Sequence, residues 1–156
     1  MRLEIRYRGE REICATWGAV VTRICDGVRT EIDDLIRVNA LFEELLQQRP
    51  AIGMLLVFTH GTPLPTPATQ RFAITAMREL DDKLVLSVAA LGLGFWADAL
   101  RASIATIARI VAGSTIAIEH SVEAAAQRLA AELIGIDPDA LLGVYRQLWA
   151  ELRRPA

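Results

Sequence analysis

Histidine, cysteine and lysine are scarce in this chain of 156 residues: two histidines, two cysteines and a single lysine, Lys83, among 17 basic residues. With no Cys-x-x-Cys pair and no Cys/His cluster, Cys14 and Cys25 supply neither a disulfide scaffold nor a zinc or redox centre, and a reducing compartment is the simpler reading. They would pair only by an accident of hairpin register. No cofactor and no metal is called for by any motif. Charge of one sign is lacking too, since 17 basic residues face 19 acidic ones for a net charge of −2. The scattered arginines form no stripe that could neutralise a phosphate backbone, which sets nucleic acid aside as a partner. No apolar run is long enough to span a bilayer: Leu84 to Ala97 falls well short of the ~20 residues required, and two glycines interrupt it. The segment Met1-Arg2-Leu3-Glu4-Ile5-Arg6 alternates charge with apolar residues where a signal peptide needs a continuous apolar stretch, so a cytoplasmic location is expected.

What is present is globular. The 53% hydrophobic residues are dispersed as Ala, Leu, Ile and Val among 23% charged ones, and a single domain over residues 1–156 is expected to remove roughly 70% of its unfolded surface from water.

Hydrophobic periodicity orders the chain. Residues 2–8 alternate with Leu3, Ile5 and Tyr7 on one face, Glu12 to Thr16 forms a second extended run, and Ala19 to Cys25 is rich in β-branched residues. An antiparallel start is expected, with the first strands within residues 1–16. Thr30, with Asp33 three residues on, reads as a capping box for a helix reaching about Arg49. Pro50 ends it, and Ile52 to Phe58 is the continuous apolar run of a central strand covered on both faces. Thr66 before Pro67 caps a second helix to about Asp82. Leu84 to Leu91 is the next strand, and Gly92-Leu93-Gly94 turns into a helix from Phe95 to Val111 with Phe95, Ala99, Ile104, Ile107 and Val111 inward. Thr115 to Glu119, a helix capped by Ser121, and a last helix over 137–154 complete the order ββ(β)αβαβαβαα. The fold class is therefore α/β, a mixed sheet with an antiparallel N-terminal meander and helices packed on it.

In such sheets ligands and partners sit outside the carboxyl ends of the parallel strands. That edge gathers Thr59, His60, Thr62, Thr66, Gly92, Gly94, Phe95, Trp96, Arg101 and His120. Phosphate on Thr59 or Thr62 would add charge near a helix start, although hydroxyls there are ordinary loop and cap devices, Thr66 above all. Gly92-x-Gly94 places amides where an anion could sit. The dinucleotide fingerprint, however, needs glycine at position 97, which is Ala97, and the Lys-Ser/Thr of a P-loop is missing, so a tight turn is the plainer reading. His60 and His120, with Glu119, leave a general base open, but no third ligand and no Gly-x-Ser-x-Gly elbow accompanies them. The last helix carries Tyr145, Leu148, Trp149 and Leu152 on an apolar stripe suited to a partner or a second copy, and equally to packing in cis. Trp17 and Trp96 read first as core.

With the order written out, Trp17-Gly18 opening a strand, Ile52 to Phe58 in the centre, and Gly92-Leu93-Gly94-Phe95 followed by Arg101 resemble the STAS family of sulfate-transporter and anti-sigma-factor-antagonist domains. The likeness runs from about Trp17 to Leu133, is one of pattern, and points to divergent bacterial stand-alone members, with the helix from Pro138 an addition. It implies a small protein-binding switch. In the antagonist branch a serine of an Asp-Ser-x-Gly turn is phosphorylated. The matching turn here, Thr59-His60-Gly61-Thr62, has no Asp-Ser pair, so that role does not carry over.

Three functions follow as expectations. The first is a non-catalytic regulatory or scaffolding module that binds an unidentified partner protein, as a homodimer. The second is a small-molecule sensor with an apolar pocket between the sheet and the third helix, lined by Phe95, Trp96 and Ile104. The third is a weak enzyme using His60 or His120.

Overall fold

The computed structural model describes residues 1–111 and 113–155. Three strands come first, β1 (Leu3–Arg8), β2 (Glu12–Trp17) and β3 (Val20–Cys25), then helix α1 (Ile32–Leu46) and strand β4 (Ile52–Phe58). Helix α2 (Pro67–Leu80) runs through a 3-10 turn (Asp81–Lys83) into β5 (Leu84–Ala90). Helix α3 (Phe95–Ile110), β6 (Thr115–Glu119), α4 (Val122–Glu132) and α5 (Pro138–Leu152) follow. The six strands form one sheet in sequential order, with β1, β2 and β3 antiparallel and β3 to β6 parallel. The α/β class, the element order and the antiparallel start are those the periodicity predicts.

Local chemistry sets the joints. Gly18 (φ 58°) is the first central residue of the two-residue β2–β3 hairpin, where a positive φ suits the strand twist. The parallel strands require crossovers, and right-handed crossovers stepping in one direction put α1, α2 and α3 on the same face. That face packs Val21, Cys25, Met54 and Leu86 against Val38, Phe42 and Leu100. On the other face α4 and α5 cover Ile13, Val20, Leu55 and Val85 with Ala125, Leu129, Leu141 and Leu148. Gly53 lets α4 approach, since a Cβ there would lie 2.9 Å from Leu133 Cδ2. Ser87, inside β5, donates at 2.7 Å to the Ala125 carbonyl, which satisfies a hydroxyl that would otherwise be costly to bury.

Three expectations change in detail. A register shift between Ile5 and Tyr7 breaks the alternation of β1: Leu3 packs with the α4/α5 core while Tyr7 packs with the α1 core. One extra residue reverses the faces beyond it. The capping box of α1 sits one residue later than Thr30 and Asp33, with the Glu31 amide donating to Asp34 Oδ2 at 2.8 Å. Thr30 instead accepts from a buried arginine. Phe95, expected inward on α3, is exposed, and Ala97, Leu100 and Ile107 are the buried positions. The caps at Thr66 and Ser121 form as expected, accepting from the Thr69 and Ala124 amides.

Candidate functional site

The carboxyl ends of the parallel strands form an edge of turns that are stitched down and one that stands out. In the β4–α2 loop, the Thr59 amide donates to the Cys25 carbonyl at 3.1 Å and its Oγ1 to Asp26 Oδ1 at 3.0 Å. Thr62 Oγ1 donates to the Thr59 carbonyl at 2.8 Å, and Thr62 is only 4% exposed. These hydroxyls tie the loop to the end of β3. A phosphate on Thr62 would have to open the loop, and one on Thr59 would face the Asp26 carboxylate, so the geometry opposes the phosphorylation reading at both positions. Thr66 is a helix cap.

The β5–α3 turn is built differently. Gly92 and Gly94 have φ of 98° and 95°, a region open to glycine and strained for other residues. The His60 side chain packs directly against Gly92, in the space a Cβ would need. Beneath the turn, Arg101 NH2 donates to the carbonyls of Ala90 at 2.8 Å and Gly92 at 2.6 Å, and NH1 to Asp98 at 3.1 Å. Arg101 is thus the clamp of the turn, and His60 its buttress. What they hold up is apolar: Leu93 is 83%, Phe95 77% and Trp96 62% exposed, with the two aromatic rings edge to face at 5.5 Å between centroids. Asp98 puts a carboxylate in the first turn of α3, where it already meets the positive end of the helix dipole and repels an anion.

The remaining expected residues lie apart. His60 lies in the loop after β4 and His120 follows β6, with β5 between those strands, which places them on the order of 10 Å apart. Among the described residues no group of three His, Cys, Asp or Glu could hold a metal ion. The α5 stripe is packed in cis: Leu148 and Leu152 are buried against the chain's own sheet, and Tyr145 and Trp149 are half-buried beside them. Of the residues expected at an interface on this helix, the two leucines are therefore core. Trp17 is core as well, whereas Trp96 is at the surface.

Between the sheet and α1, α2 and α3 lies an apolar cavity of about 120 Å³. Ile104 lines it, with Leu100 and Ile107, as the sensor reading expects of α3; Phe95 and Trp96 do not, because they precede the turns of α3 that face the sheet. Beside the cavity is a buried polar cluster that sequence reasoning missed. Arg23, 1% exposed, donates to Thr30 at 3.0 Å and Glu12 at 2.9 Å and lies 3.5 Å from Asp34. Arg37 pairs with both carboxylates and lies over the Tyr7 ring at 4.6 Å. An arginine inside the β-branched run from Val20 to Cys25 was the available signal. Burial pushes the thiols of Cys14 and Cys25 up to about 11 and the Tyr7 hydroxyl up as well, so the thiols and the phenol stay neutral beside the charged arginines and carboxylates. Both thiols are free and buried.

No protein-family model, no curated protein and no solved structure matches the chain. Among the described residues no helix is long and apolar enough to cross a membrane.

Proposed function

We propose that the chain is a non-catalytic regulatory or scaffolding module that docks on another protein chain through Leu93, Phe95 and Trp96, the first such partner being a second copy. The observation that carries this reading is the exposure of these three large apolar side chains side by side on one turn. Isolated exposed apolar residues are ordinary, but a cluster at the ligand edge of an α/β sheet is the anatomy of an interaction surface. Aromatic anchors supply most of the binding energy in protein interfaces. The Arg101 clamp and the two glycines fix the turn before any partner arrives, which lowers the entropy lost on docking. The near-neutral charge and the apolar character of the turn favour protein over nucleic acid. The winding β3-α1-β4-α2-β5-α3-β6 is also in keeping with the STAS-like resemblance, whose members are protein-binding switches.

Sedimentation velocity of the wild type and of Phe95→Arg tests the reading. The expected result is a wild-type dimer at micromolar concentration and a monomeric variant with an unchanged melting curve, since the ring is exposed. A wild type that stays monomeric, or a variant that dimerises as tightly, overturns it.

A further inference from the structure

The cavity beneath α2 bears on a different function. The inner face of α2 presents Thr69, Gln70, Ala73, Ala76, Met77 and Leu80, yet only Thr69 and Leu80, near its two ends, are buried. The middle of the helix stands off the sheet over two alanines. Opposite them, Leu56 is the one residue of the central strand β4 that is half-buried, the others being buried, and it lines the cavity. On the third wall α3 contributes Ser103, another small side chain, whose buried Oγ has no hydrogen-bond partner. Interiors normally pack as tightly as organic crystals, so small residues facing an incompletely covered central strand are an unusual arrangement.

The geometry points to a binding site for a small neutral apolar molecule, a monocyclic aromatic or branched aliphatic compound carrying at most one hydroxyl or carbonyl. Size follows from volume: the space is about 120 Å³, and an engineered apolar cavity of roughly 150 Å³ stays dry and takes benzene or xenon. Neutrality follows from Arg23, the only charged group in the lining among the described residues. Its charge is already met by Glu12 at 2.9 Å and Asp34 at 3.5 Å, so an incoming carboxylate would be desolvated beside two carboxylates. The single polar group allowed on the ligand answers Ser103 Oγ. Asn39 of α1 and Gln70 of α2 add half-buried amides to the lining. This site is separate from the aromatic turn and stands or falls independently of docking there.

Toluene and p-cresol are the probes, read by thermal melting and by methyl NMR of the full chain. At tenfold its Kd, toluene is expected to raise the wild-type Tm by about 3–6 °C, with intermolecular NOEs to methyls of Leu86, Ile104 and Ile107. Ala73→Leu and Ala76→Leu each place a larger side chain in the space and are expected to weaken binding more than tenfold while melting cooperatively. Phe95→Arg, which disrupts only the docking edge, keeps the full response. The proposal is overturned if neither probe shifts the wild-type melt up to its solubility limit, or if both leucine variants fold and respond like wild type. Should those variants fail to fold, NOEs confined to methyls outside the cavity overturn it on the wild type alone.

Discussion

Replacing Arg23 by methionine tests whether the buried cluster is an ion pair on which the fold depends. The guanidinium sits in β3 at 1% exposure, bonded to Glu12 and Thr30 and within 3.5 Å of Asp34. Removing one partner of a buried pair typically costs 3–5 kcal/mol, because the other charge stays behind unpaired. Here Arg37 still reaches both carboxylates, and Glu12 and Asp34 keep side-chain exposures of 16% and 11%. The loss is therefore set at the lower end, about 3 kcal/mol, or about 6–12 °C in Tm for a chain of this size. Urea unfolding followed by circular dichroism measures it. Two controls sharpen the reading. Arg37→Met removes a half-exposed guanidinium and should cost less than about 1 kcal/mol. Arg23→Met with Glu12→Gln should cost less than the sum of the single changes by about 1–2 kcal/mol, the coupling expected of groups in one network. If Arg23→Met lies within about 1 kcal/mol of wild type, or Arg37→Met costs as much, the pair does not carry the stability assigned to it.

Two further outcomes are expected. Folded Cys14 and Cys25 titrate near 11 because burial disfavours the thiolate, against 9.0 for the free group, so above pH 9 the unfolded chain releases protons that the folded one retains. Stability should be intact below pH 9 and fall between pH 9 and 11 by up to about 3 kcal/mol per thiol, a slope that Cys14→Ala and Cys25→Ala should reduce; a flat profile refutes the assignment. Gly92→Ala should cost about 1–3 kcal/mol, since alanine at φ 98° is strained and its Cβ collides with the His60 ring; an unperturbed melt would show that the turn is not held as described.

Most of the fold is legible in the sequence because its elements announce themselves locally. The run Ile52 to Phe58, the Thr66-Pro67 cap and the Ser121 cap each depend on residues within a few positions of one another. What escapes is set by partners distant in sequence. The bulge at Ile5–Tyr7 is a matter of pairing with β2, and a strict alternation gives no sign of it. Phe95 has the spacing of an inward residue, yet it belongs to the first turn of α3, beyond the end of the sheet, so its period carries no burial. The buried network of Arg23 exists only once the fold brings Glu12 and Asp34 beside it. Of the expected edge, Phe95, Trp96, Arg101 and His60 do gather around the turn of Gly92 and Gly94, while the threonines serve its neighbour as stitches.

The sequential strand order also prescribes how the chain is put together. Each strand is laid beside the one that precedes it in the chain, so each pairing closes a connection that holds either a turn or one crossover helix. The longest return is that of α5, which crosses a separation on the order of a hundred residues to cover β2 and β3. Until it arrives, Ile13, Ala15, Val20 and Ile24 lie open to water on a finished sheet. α5 is thus the element that takes the β2–β3 end of this face out of water.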